Sequence, residues 1–160
     1  MTRDEVYKLS LEIAPKYEFD PMLILAICEQ ESNYNEKAFR LENDFAHWLQ
    51  KRRPELSIPR IVLHSTSYGL MQLLGQSLSE LQFFGTESIT SEWIEEYLAL
   101  PNAQIESGCK WLARKLMAVE GDMLKAIERY NGSGPRAIEY AKSVLTREVR
   151  LRKELQVPSK

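Results

Sequence analysis

Histidine and cysteine are scarce in this 160-residue chain, two of each. His47 and His64 stand apart from Cys28 and Cys109, and without a histidine–cysteine cluster no metal site is expected. Two cysteines do not make a disulfide framework. Unless their helices touch, Cys28 and Cys109 read as buried thiols packing as small hydrophobes. No apolar run approaches the length needed to cross a bilayer, so no membrane span is expected. The first residues, Met1-Thr2-Arg3-Asp4-Glu5-Val6-Tyr7, lack an apolar h-region and a small-residue cleavage site, so a classical secretory signal is not expected. Export without one, or an export signal missing from this sequence, are the two alternatives. An excess of one charge is also absent: 21 lysines and arginines against 23 acids give a net charge of −2. That balance carries no footprint for nucleic acid. The basic triplet Lys51-Arg52-Arg53 and the late group Arg147, Arg150, Arg152 and Lys153 read as solvated helix faces and loop ends.

What is present is the composition of an ordinary globular protein, 44% hydrophobic and 28% charged. The length suits a single domain over residues 1–160, able to bury a sizeable core without crosslinks or cofactors. The patterning is helical. Thr2-x-x-Glu5 is a capping box ahead of Val6, Leu9 and Ile13, and this helix should end near Pro15 to Tyr17. Asp20-Pro21 starts a second helix. Its segment Met22 to Cys28 is apolar all round, the mark of a helix buried on every side. Residues from about 35 to 67 are least regular. Asp44, Phe45, Trp48 and Leu49 suggest a short amphipathic helix stopped by Pro54, whereas Ile58 to Leu63 is extended in character and could enter a small strand pair. Leu74, Leu78 and Leu81 form a stripe ending at Gly85, and Thr90 or Ser91 caps a helix bearing Trp93 to Leu98. A longer helix runs from Asn102 to Gly121, Asp122 caps the next, and a closing helix follows Gly132-Ser133-Gly134-Pro135. The fold class is mainly α, with a small irregular or β element in the 40–66 region.

The chemistry converges on Glu31. It follows a wholly apolar helical run, so its carboxyl falls where the core meets solvent. Partial desolvation disfavours the charged form and suits a general acid near neutral pH; lysozyme is the standard example of a glutamate so tuned. Position alone favours the plainer reading, a solvated glutamate at a helix end, where the dipole even disfavours it. Three later segments change that balance. Ser67-Tyr68-Gly69-Leu70-Met71-Gln72 brings a glycine for close backbone approach, a soft thioether floor for a sugar ring and an amide able to pair with an N-acetyl group. Tyr130-Asn131-Gly132-Ser133-Gly134 places a phenol at a helix end. Asn102 to Leu112 contains Gly108, suited to close helix–helix contact.

In this order the segments resemble soluble-type lytic transglycosylases, a branch of the lysozyme-like superfamily. The family pattern is Glu-Ser after an apolar helix, then Gly-Leu-Met-Gln, Asn-Ile-x-x-Gly-x-x-Tyr-Leu and Tyr-Asn-x-Gly. The chain carries Glu31-Ser32, an unaltered Gly69-Leu70-Met71-Gln72, Ile105 to Gly108 and Leu112 at the family spacing, and Tyr130-Asn131. Asn102 lies one residue further from Ile105 than usual, and Trp111 stands where tyrosine is common. Tyr140 before Val144-Leu145 resembles the family's late tyrosine. The resemblance spans about residues 5–146 and implies a lysozyme-like (goose-type/soluble lytic transglycosylase) α-domain with a sugar-binding cleft. It implies cleavage of the β-1,4 bond between N-acetylmuramic acid and N-acetylglucosamine, with a 1,6-anhydromuramyl product and no cofactor. Carried over, Glu31 is the acid/base and Tyr130 its hydrogen-bonding partner. Met71 and Gln72 line the subsite, Ser67, Asn131 and Tyr140 are further substrate-contact candidates, and Ser32, Gly69 and Gly108 are structural supports, with Asn131 also a candidate for local support.

The stretch between Glu31 and Gly69 looks longer than in compact members, an insertion at about 40–64 carrying Phe45, Trp48, Glu42 and Asp44. A second carboxylate there would permit true hydrolysis, a lysozyme-like alternative. Another alternative is a non-catalytic glycan-binding component of a phage tail or secretion apparatus; a helical adaptor explains none of the motifs. The expected partner is the peptidoglycan glycan strand, with phage or secretion-machinery partners as a further option. The expected place of action is the cell wall in the periplasm, reached through phage release or non-classical export.

Overall fold

A computed structural model describes residues 1–82 and 89–157. The chain opens with α1 (Arg3–Ile13), where the Thr2 hydroxyl accepts from Glu5 N and the Glu5 carboxylate accepts from Thr2 N, the reciprocal cap read from the sequence. A 3-10 turn over Ala14–Tyr17 follows. Asp20 then caps α2 (Pro21–Ser32), its carboxylate accepting from Met22 N. Every residue from Met22 to Cys28 is buried, and Ile24, Leu25 and Ile27 are fully so. Each such side chain is worth about 1.5–3 kcal/mol of burial, which is why a run with no polar face makes a stable central helix.

The middle of the chain is a small antiparallel sheet and two short helices: β1 (Phe39–Leu41), α3 (Asn43–Arg52), α4 (Ile58–His64), β2 (Thr66–Tyr68) and β3 (Leu73–Leu74). β2 is central, pairing Ser67 with Arg40 on one side and with Leu74 on the other. The extended reading of Ile58 to Leu63 is corrected here. Pro59 sits in the first turn of α4, where its missing N–H costs nothing, and Ile61 is buried. Strands do form in this region, but they flank α3 and α4.

The remaining helices are α5 (Gly75–Gln82), α6 (Ser91–Leu98), α7 (Pro101–Ala118), α8 (Met123–Asn131) and α9 (Pro135–Glu154). Thr90 caps α6 and Asp122 caps α8, as read from the sequence. The expected stop at Gly85 lies outside the described residues. The main core joins α1, α2, α7, α8 and α9 with Leu70 and Met71, and contains both cysteines as free thiols. A second cluster collects Tyr68, Leu73, Leu78, Ile89, Ile94 and Tyr97. The mainly α architecture expected from the sequence is the one observed. Among the described residues no helix is long and apolar enough to cross a membrane.

The late arginines are paired. Glu29, in the last turns of α2, accepts from Arg147 and Arg150 of α9, and Arg152 reaches Asp20 at 2.6 Å. Gln30 Oε1 accepts from Ser143 Oγ at 2.8 Å and Arg147 Nε at 2.7 Å. These contacts hold the end of α2 against α9, and that end carries the site.

Candidate active site

The residue after Gln30 is Glu31. The helix stops just beyond it because Asn33 adopts a left-handed conformation, φ 49°, and returns its N–H to Cys28 O and Glu29 O. Ser32 Oγ lies 2.8 Å from Leu70 O and 3.1 Å from Cys28 O, tying the helix end to the Gly69–Gln72 turn. Glu31 therefore leaves the core at a fixed point and lines a cleft of about 650 Å³. Burial pushes its carboxyl up to about 7. A hydrogen bond from Tyr140 and the positive charge of Arg40 oppose that rise, and the carboxylate of Glu42 adds to it.

The partner of Glu31 differs from the sequence expectation. Tyr140 Oη, buried on α9, donates to Glu31 Oε1 at 2.6 Å, whereas Tyr130 Oη donates to Met71 O at 2.7 Å. The cause is packing: α9 runs along α2, so a residue one turn into α9 overlies the end of α2. Tyr130 instead spans from α8 to the turn, and it lines the cleft beside Asn131.

The Gly69–Gln72 turn is fastened from three sides. Gly69 has φ +76°, and a Cβ there would lie 2.5 Å from Gln104 Oε1. That same oxygen accepts from Leu70 N at 2.8 Å. Leu70 and Met71 point into the main core, and Met71 is only 1% exposed. Met71 is therefore not a cleft wall, as expected from the sequence, but the support beneath one. Gly108 makes room for it, since a Cβ at that position would sit 2.1 Å from Met71 Sδ. The role of Gly108 is thus contact with a side chain of the turn. Gln72, at φ 45°, does reach the cleft. Both its amide protons are engaged, with Ala38 O at 3.1 Å and Gly69 O at 2.9 Å, so its oxygen is what it offers a ligand.

Residues 40–45 line the cleft together with Glu31. Arg40 Nε donates to Glu42 Oε1 at 2.8 Å, and Ser67 Oγ donates to the same oxygen at 3.2 Å. Asp44 and Phe45 complete this wall, with Phe45 stacked on Trp48 at 5.3 Å. Three residues not taken as site candidates from the sequence, Trp111, Lys115 and Arg129, line the cleft from α7 and α8. The sequence signal for the first two was their i, i+4 spacing, which places them on one face of α7.

A single half-buried carboxyl with a raised pKa, oriented by a phenol in a polar cleft, is equipped to protonate a leaving oxygen. Among the described residues no three histidine, cysteine, aspartate or glutamate side chains gather as a metal site would require. The model of the transglycosylase SLT domain family matches residues 8–150. The chain belongs to that family. No match is found among curated proteins. Glu31, the Gly69–Gln72 turn, Tyr130 and Tyr140 all lie inside the matched span, so the cleft is the cleft of an SLT domain, a lysozyme-like peptidoglycan transglycosylase fold. In this SLT domain residues 40–45, the first part of the 40–64 segment, line the cleft.

Proposed function

We propose that this SLT domain is a lytic transglycosylase that uses Glu31 alone as acid and then base. The neutral Glu31 carboxyl protonates the glycosidic oxygen between N-acetylmuramic acid and N-acetylglucosamine, and the bond from C1 to that oxygen breaks. The resulting carboxylate takes the proton of the muramyl O6 hydroxyl as O6 attacks C1. A 1,6-anhydro ring closes, and Glu31 regains its proton. An internal nucleophile held next to C1 replaces the water and second carboxylate used by most glycosidases. Tyr140 fixes the rotamer of Glu31. Gln72 presents its amide oxygen to an acetamido N–H, and Ser67, Tyr130 and Asn131 shape the subsites. The place of action is then the periplasmic cell wall.

The observation carrying this reading is the burial of Glu31 at the cleft end of α2, which keeps its carboxyl half protonated near neutrality. The test is mass analysis of soluble products from purified peptidoglycan. Anhydromuramyl ends that vanish in Glu31→Gln support it. Glu42 lines the same cleft, which favours hydrolysis as the second reading. Against it, Glu42 is occupied by Arg40 and Ser67. Reducing muramyl ends that vanish in Glu42→Gln or Asp44→Asn would replace transglycosylation with hydrolysis.

A further inference from the structure

We propose that Lys115 and Arg129 form a subsite on the α7–α8 wall of the cleft that takes the carboxylates carried by muramyl residues; the proposal rests on the glycan-cleaving reading above. The sugar backbone of the strand is neutral. Its negative charge lies on the lactyl group where the peptide has been removed, and on the peptide stem where it remains. A transglycosylase cleft that met only sugar rings would have no use for cations without a counter-charge.

That is what this wall presents. Lys115 Nζ sits 4.1 Å from the centroid of the Trp111 ring, one turn before it on α7, so the ring fixes the ammonium in place. Arg129 precedes Tyr130 on α8, which packs on α7, and both cations line the cleft with Glu31. Among the described residues neither forms an ion pair. The third cation of the cleft, Arg40, is matched by Glu42 at 2.8 Å. Outside the cleft, Lys110, Lys125, Arg147 and Arg150 all have acidic partners. Lys115 and Arg129 thus leave positive charge on the α7–α8 wall that no ion pair neutralises among the described residues, in a cleft whose acids are Glu31, Glu42 and Asp44. Burial holds the Lys115 ammonium below its ordinary pKa; Glu80 opposes this, while Arg114 and Arg129 push in the same direction. Like charges gathered in a concavity repel one another and are relieved by an anionic ligand.

The test measures binding to Glu31→Gln, which does not consume the strand, and KM and kcat with the active enzyme. Three substrates separate the sources of charge: peptide-bearing strands, amidase-stripped strands with free lactyl carboxylates, and stripped strands whose carboxylates are converted to neutral amides. The expected result is a preference for charged over amidated strands that shrinks as salt rises. Lys115→Ala and Arg129→Ala should each reduce that preference about three- to tenfold, more in KM than in kcat, with Lys115→Arg restoring most of it. Lys125→Ala, which removes a charge from α8 outside the cleft, should leave the preference intact. A loss seen with stripped strands assigns the lactyl group; a loss seen only with peptide-bearing strands assigns the stem. Equal binding of charged and amidated strands, or a preference that survives the double substitution in a folded protein, overturns the subsite. Cleavage with charge-blind binding sinks the subsite alone, whereas no binding or cleavage of any strand sinks the glycan reading with it.

Discussion

Replacing Glu31 with glutamine should abolish turnover and yet make the protein more stable at alkaline pH. In the unfolded chain the carboxyl ionises near its ordinary value of 4.5, and in the folded protein near about 7. Each pH unit between the two is worth about 1.4 kcal/mol, so the folded wild type loses at most about 3.5 kcal/mol as pH rises through that window. Water in the cleft screens part of this, leaving about 1–3 kcal/mol. The sign follows from the raised value: the group's contribution is intact below 4.5 and is lost as pH climbs through 7. Glutamine keeps the shape and an oxygen for Tyr140 to donate to, and carries no charge at any pH. Urea unfolding of both proteins at pH 4.5 and pH 8 is the assay. All other titrating groups cancel in the difference, so the glutamine variant should gain on the wild type between the two conditions. Stability curves that stay parallel across the range would refute the claim that the carboxyl is desolvated.

Turnover of the wild type should fall as pH rises past about 7, because the acid form of Glu31 is lost; a pH–kcat profile checks this. Tyr140→Phe removes the donor 2.6 Å from Glu31 and should lower kcat about tenfold while moving that falling limb to higher pH. Gln104→Ala should cost about 2–4 kcal/mol in urea unfolding, since it strips the partner from Leu70 N and leaves a cavity in the core. Gly69→Ala combines a strained φ with an overlap against the same amide, and should destabilise by about 1–3 kcal/mol.

The buried helix, its caps and the emergence of Glu31 at its end were legible because they depend on local pattern: an apolar run, an Asp-Pro start and polar residues at the stop. The partner of Glu31 was not. Tyr130 and Tyr140 are both phenols after the third motif, and only the packing of α9 along α2 decides which hydroxyl arrives. Met71 misled for a related reason. A thioether suits a sugar floor or a core equally, and the fit against Gly108 settles it. Ile58 to Leu63 shows propensity yielding to position, since Pro59 in a first turn and a buried Ile61 favour helix over the β-branched preference. The cations of the α7–α8 wall did not stand out: spacing puts Lys115 on one face with Trp111, but overall charge balance says nothing about where charges lack partners.

Gln104 joins parts of the molecule that are far apart in the sequence. Its amide oxygen holds Leu70 N, and its Nε2 lies 3.2 Å from the carbonyls of Glu36, Tyr97 and Leu98. Because an amide neither gains nor loses a proton across the biological range, this joint is indifferent to acidity. The frame that carries the sugar-facing turn therefore keeps its shape while the one group poised above it switches charge, and acidity can set the rate of the reaction without loosening the jaws around it.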